Sequence, residues 1–262
     1  MKPCAFVTGG TSGLGWATVI ALAQSGWRVI FSARSEQKGL LALAKLGALV
    51  KGAEAAWIPL DLEDFSSIRK AAHELRGLTK TIDVLLLNAG VKNPPWSLTV
   101  DGYETQFQVN YLGHFLLFQL VQDLVLASPT KRVVSVASSS SDKATSNSLE
   151  NFQLYARMAQ ETYDANQSFC ESKLAQLLFT QALRVHFGGR GLTAYVVCPR
   201  LLFRQFDQTA LGLVQGSLSG PSLTWANKKP KTHHLAVDKP GLPEALWDWS
   251  SSHFTHGSHS GG

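Results

Sequence analysis

Phe169 and Lys173 stand four residues apart in the segment Phe169-Cys170-Glu171-Ser172-Lys173-Leu174-Ala175. On a helix that spacing puts both side chains on one face. It is the spacing of a Tyr-x-x-x-Lys pair, in which a phenol and an ammonium cooperate in moving a proton. Here the lysine is present and the phenol oxygen is missing. A ring without a hydroxyl can neither give nor take a proton. Asn166, three residues before Phe169, falls about 60° away around a helix. Its amide, or a mobile Asp164, could hold or orient a substrate. The amide cannot ionise as an isosteric aspartate would.

A second group of residues points to phosphate. Thr8-Gly9-Gly10-Thr11-Ser12-Gly13-Leu14-Gly15 follows a short apolar strand and opens an apolar-periodic helix. Gly9 allows a tight turn, Gly13 lets backbone approach a pyrophosphate, and Gly15 permits close helix packing. Thr11, Ser12 and Leu14 complete the turn, and the helix N-terminus offers free N–H groups to phosphates. The second strand ends Ser32-Ala33-Arg34-Ser35, without the acidic residue that binds a ribose 2′-hydroxyl. The Arg34 guanidinium matches a 2′-phosphate, which favours NADP(H) over NAD. Asp61-Leu62 closes the third strand, where an acidic group can reach an adenine. Asn88-Ala89-Gly90 closes the fourth, where small residues keep a crevice open.

Alternating elements must position these groups. The pattern gives strands over 5–8, 27–33, 56–60, 82–87, 132–137 and 193–198. Helices are expected over 14–25, 36–46, 65–75, 102–126 and 159–187, with a short last helix over 242–251. The expected fold is α/β, a Rossmann-type doubly wound parallel sheet of six to seven strands in a three-layer α/β/α arrangement. Residues 1–252 read as a single domain. Residues 200–241, rich in Gly, Ser, Gln and Lys, read as a substrate lid with a short seventh strand over 235–237. Residues 253–262 read as a flexible tail.

Composition narrows the classes. The chain has 262 residues, 45% hydrophobic and 16% charged, which is the balance of a globular protein. The net charge of +5 is spread out, and the densest basic stretch is Lys228-Lys229-Pro230-Lys231. No nucleic-acid partner is expected. Cys4, Cys170 and Cys198 are odd in number and far apart, which argues for a reducing compartment and a cytoplasmic location. The start of a strand near Met1 suggests no signal peptide. The apolar run from Tyr111 to Leu126 falls short of the roughly 18 residues a bilayer span needs, so no membrane is expected. His233, His234, His253, His256 and His259 lack carboxylate or cysteine partners, and no metal is expected.

Five motifs in order carry a resemblance. They are Thr8 to Gly15, Asn88-Ala89-Gly90, Phe107 to Phe115, Arg132 to Ser138, and Ser172-Lys173-Leu174-Ala175. Together, over residues 4–199 and the helix around Trp247, they resemble the short-chain dehydrogenase/reductase family. The wording around Asn110 and Lys173 is similar to its retinol-dehydrogenase-like branch. The resemblance implies that Ser138 orients a substrate carbonyl, that Lys173 holds the nicotinamide ribose, and that Asn110 holds a water in a proton relay. Phe169 then occupies the proton donor's position. Cys198-Pro199-Arg200 departs from the family's Pro-Gly and following threonine, so Pro199 and Arg200 leave the nicotinamide seating open. Phe169 and Arg200 together resemble specialised fungal indole-alkaloid reductases, in which iminium reduction is coupled to an intramolecular [4+2] cyclisation.

A positioned general acid contributes ~10²- to 10⁴-fold to such a reduction. A C=N⁺ iminium removes the need, since hydride addition gives a neutral amine directly. The leading expectation is therefore an NADPH-dependent reductase of an iminium on a bulky small molecule, with a Diels–Alder cyclisation as a further expectation. The alternatives are an NADP-binding scaffold or sensor without catalysis, and a carbonyl reductase with a substituted tyrosine. The long helices 102–126 and 159–187 could form a face for a second copy.

Overall fold

A computed structural model describes residues 2–198 and 239–255. The lid, its strand over 235–237, Pro199 and Arg200, and the tail beyond 255 lie outside or largely outside these described residues.

Alternating strands and helices build the sheet. β1 (Cys4–Val7), β2 (Arg28–Ala33), β3 (Ala55–Pro59), β4 (Val84–Leu87), β5 (Arg132–Val136) and β6 (Thr193–Val197) are its strands. They pair in parallel in the order β3-β2-β1-β4-β5-β6. Successive strand residues feed opposite faces, as a period of two requires. Phe6, Ile30, Leu85 and Val133 join one apolar cluster. Ala5, Val7, Val29, Phe31, Leu86 and Val134 join another. Burial on both faces explains why the strands read as unbroken apolar runs. The result is a doubly wound three-layer α/β fold. Its strand order reverses between β1 and β4, so their carboxyl ends open a crevice.

α1 (Gly13–Gln24) and α2 (Glu36–Leu49) cover one face. The other face is covered by α3 (Phe65–Leu78), α4 (Thr105–Phe107), α5 (Gly113–Leu126), α6 (Leu149–Ala156), α7 (Ala165–Phe187) and α8 (Leu242–Thr255).

Several elements differ from expectation, and α2 and α3 each run three residues past their expected ends. The helix expected over 102–126 starts at Thr105, because the Glu104 carboxylate accepts the N–H groups of Gln106 and Phe107 at 3.0 and 2.7 Å. A π-helical turn, Gln108–Leu112, then separates α4 from α5. The helix expected over 159–187 starts at Ala165. Asp164 is its N-cap, accepting the N–H groups of Asn166 and Gln167 at 2.9 Å, and Tyr163 before it is extended. The Asp164 carboxylate is thereby engaged at the helix N-terminus. α6 was not anticipated, although Ser148 caps it. α8 continues through Thr255, into the segment read as tail.

Two further findings concern the long helices. The 22 residues Thr105–Leu126 reach the length and apolarity of a bilayer span, which the run counted from Tyr111 does not, and 72% of an 18-residue window within them is buried in the core. Trp247 of α8 stacks on Phe179 and His186 of α7 and meets Phe115 and Phe118 of α5 edge-on. Tyr111 and Ser250 share a hydrogen bond of 2.7 Å. The chain's own last helix thus fills part of the face offered above to a second copy.

Candidate active site

The crevice is built from the turn after β1 outward. Gly9 has φ +67°, in the left-handed region that only glycine adopts freely, and Gly13 has φ +53°. At Gly15 a Cβ would meet the Gly9 carbonyl at 2.2 Å and the Asn88 amide at 2.5 Å, so nothing larger fits. The cleft above this turn measures about 320 Å³. Gly9, Thr11, Ser12, Leu14, Gly15, Arg34, Asp61, Leu62, Asn88, Ala89 and Gly90 all line it, whereas Gly13 does not. Ser32, Lys38, Glu63, Val91 and Val109 also line it and were missed. Lys38 lies in the first turn of α2, just past its N-cap Ser35 and four residues after Arg34.

Polar ties hold this cleft. The Thr8 hydroxyl oxygen accepts the N–H groups of Asn88 and Ala89 at 2.9 and 3.0 Å. The Asn88 amide donates back to the Thr8 carbonyl at 2.9 Å. The hydroxyl also meets Nε2 of His114 at 3.0 Å, while Nδ1 of the same ring meets the Asn110 carbonyl at 3.2 Å. A carbonyl only accepts, so Nδ1 carries the proton, and the one Thr8 hydroxyl proton is shared between Nε2 and the Leu86 carbonyl at 3.3 Å. A second proton on the ring has no acceptor, because both Thr8 lone pairs are filled. Burial, first of all, drives the His114 pKa down to about 3. On the rim, Arg34 pairs with Glu63 at 3.6 Å.

The second half of the site lies on α7. Phe169 is 7% exposed yet belongs to neither apolar cluster. Its ring centroid lies 5.2 Å from the Lys92 ammonium and 5.9 Å from that of Lys173. The candidate phenols do not replace its missing oxygen. Tyr163, displaced from α7, accepts from the Gln106 amide and donates to the Pro94 carbonyl, both at 3.0 Å. Tyr155 sits on α6, partly buried against the core. Asn166 is exposed in the first turn of α7.

Lys173 is buried, and its ammonium donates to the Val136 carbonyl at 2.9 Å and to Oε1 of Gln176 at 3.0 Å. It does not line the cleft; it lies 3.6 Å from where a Gly90 Cβ would be. Burial lowers its pKa to about 8, and the Cys198 thiol nearby is pushed by burial to about 12. Asn110, in the π turn, spends its side chain on structure. It accepts from Val91 N–H at 2.9 Å and donates to the Val91 carbonyl at 3.0 Å and to Ser172 at 2.9 Å. Ser138, half-buried after β5, accepts from Ser140 N–H at 3.1 Å and starts the turn that packs on α7. Glu171 clamps the segment that follows, accepting from Thr145 N–H at 2.6 Å and Gln167 at 2.7 Å. Glu171 and Gln176 flank Lys173 in sequence but carry no motif signal.

Comparisons with known proteins give the family of the chain. A family model described as short chain dehydrogenase matches residues 3–156. The chain belongs to this family. Among curated relatives it is similar to retinol dehydrogenase 11 of Mus musculus, 36% identical over 195 residues, which are 74% of this chain and 60% of that protein. The chain thus spans about 60% of the length of such relatives. Among solved structures it is similar to an uncharacterized protein from Mycobacterium paratuberculosis, with TM-score 0.76, 28% identity, and coverage of 95% of this chain and 92% of that one. A blue fluorescent protein from a metagenomic library, solved in complex with NADPH, matches with TM-score 0.58 and 28% identity over 75% and 73% of the two chains.

Proposed function

We propose that this short chain dehydrogenase is an NADP(H)-dependent reductase whose acceptor takes hydride without taking a proton from position 169, and that this acceptor is an iminium. One observation carries the reading. The ring of Phe169 carries no hydroxyl beside Lys173, and the candidate phenol Tyr163 is tied to Gln106 and Pro94. The cleft fits the cofactor, because Gly9 and Gly15 leave space that a Cβ would fill. Arg34 and Lys38 supply cations at the end where a 2′-phosphate would sit. When bound, the reduced nicotinamide supplies the hydride.

This chain's residues then have limited tasks. Gly9 to Gly15 and Asn88 to Gly90 hold the cofactor, and Phe169 excludes water from its side of the acceptor. Ser138 orients a polar group of the substrate. Asn110 ties Val91 to α7 and keeps the two halves of the site in register. Asn166, exposed, takes part only in orienting the substrate's outer end. The buried free thiols support a reducing, cytoplasmic setting. The cyclisation would rest on residues 200–241, mostly outside the described residues, and is not part of the proposal.

A second reading is favoured by the two ammoniums beside Phe169. Lys92 and Lys173 would repel a cation and stabilise a developing oxyanion, which suits a carbonyl that takes its proton from Lys173. The pH dependence separates the readings. Lys173 is charged below about 8 and neutral above. Reduction of a permanently charged N-alkyl iminium should therefore rise with pH between about 7 and 9, as repulsion is relieved, whereas carbonyl reduction through Lys173 should fall. NADPH oxidation followed at 340 nm on both acceptors decides between them, and no oxidation of either would leave a cofactor-binding scaffold.

A further inference from the structure

We propose that Gln176 is a positioning residue for Lys173: its amide holds the ammonium against the Val136 carbonyl, between β4 and β5 and behind the cleft. The inference rests on the reductase reading for its catalytic meaning, but its geometry stands alone. Oε1 of Gln176 accepts from the ammonium at 3.0 Å, and the amide nitrogen reaches the Leu87 carbonyl at 3.5 Å. Leu87 is the last residue of β4 and directly precedes Asn88-Ala89-Gly90. Gln176 is wholly buried, so its amide has no water to turn to. The Leu87 carbonyl fixes which end of the amide faces Lys173: the nitrogen must donate to it, which leaves the oxygen for the ammonium.

The surroundings of Lys173 make this contact matter. Among the described residues its two bonded partners are neutral oxygens and no carboxylate pairs with it. The other titratable groups facing it are the Cys198 thiol after β6, the neutral His114 on α5, and Lys92 across the Phe169 ring. None supplies a negative charge at neutral pH. A buried ammonium held by neutral acceptors keeps its proton only as well as those acceptors allow. Gln176 is the only side chain among them. It therefore tunes both where the Lys173 nitrogen sits and how readily it gives up a proton, while lying outside the lining of the cleft.

The test is a direct titration of Lys173 in the full chain without cofactor or substrate. Lysine labelled at ¹³Cε is followed by NMR, with Lys173→Met assigning the signal. Wild-type Lys173 is expected to titrate near 8. Gln176→Glu, nearly isosteric, should raise that midpoint by at least about one pH unit by supplying a charge partner. Gln176→Leu should lower it, and Gln176→Asn serves if the leucine variant does not fold. In the pH–rate profile with NADPH, the limb near 8 should move with the NMR midpoint while KM for substrate changes little. An unchanged midpoint in Gln176→Glu overturns the proposal. A moved midpoint with an unmoved rate profile upholds the positioning role and counts instead against Lys173 as the group that governs turnover.

Discussion

The two halves of the site are held in opposite ways. The half at β1 and β4 is fixed by a closed polar network: Thr8, Asn88, Ala89 and His114 satisfy one another, and Gly9 and Gly15 leave no slack. The half on α7 has a buried ring outside both apolar clusters, flanked by two ammoniums, and a lysine bonded only to neutral oxygens. The first half is specified by backbone geometry and tolerates almost no substitution. The second tolerates a change of residue type, since Phe169 has no hydrogen bond to lose. The chemistry can therefore change on α7 while the cofactor cleft stays intact.

The sharpest way to break the contrast is at Gly15. Gly15→Ala should cost about 3 kcal/mol in denaturant unfolding and abolish NADPH binding, because the added carbon lies 2.2 Å from the Gly9 carbonyl. Thr8→Val should cost about 2 kcal/mol by leaving the part-buried N–H groups of Asn88 and Ala89 without an acceptor. On the other side, Phe169→Leu should cost under about 1.5 kcal/mol. Equal losses at Thr8 and Phe169 would erase the distinction.

The same contrast has a pH signature. His114 is held neutral, with a folded pKa of about 3 against 6.5 unfolded. The unfolded chain therefore binds the extra proton first. Stability is full above 6.5 and is lost as pH falls towards 3, at up to about 1.4 kcal/mol per pH unit. His114→Gln should flatten that acid limb in thermal melts taken across the range. Lys173, also lowered, acts at the other end: its contribution to stability grows as pH rises from about 8 towards 10.5. The smallest effect is expected at the rim. Arg34→Ala should weaken NADPH binding about tenfold with little effect on NADH, while Glu63→Gln should tighten NADPH a few-fold by freeing the Arg34 guanidinium. Calorimetric titration reads both.

The closed half was the more legible in sequence, for a physical reason. Its residues are glycines at fixed offsets and short polar groups at strand ends, and a turn geometry dictates those types. The α7 half was less so. Asp164 before an apolar helix was a cap signal, and reading it would have moved the helix start to Ala165 and removed Tyr163 from the helix. The π turn at Gln108–Leu112 leaves no trace, because its residues are buried like those of the helices on either side. The partners chosen by Lys173, Val136 and Gln176, depend on how β5 and α7 dock, which no local pattern encodes.

The central claim is that hydride transfer at this site needs no proton from position 169. The direct measurement is a single-turnover comparison of NADPH oxidation with a cyclic N-alkyl iminium and the ketone of the same skeleton, in the natural chain and in Phe169→Tyr. The natural chain should reduce the iminium at least about 100-fold faster than the ketone. The tyrosine should raise the ketone rate and leave the iminium rate within a few-fold. Ketone reduction matching the iminium in the natural chain, or iminium reduction that appears only with the tyrosine, would contradict the account.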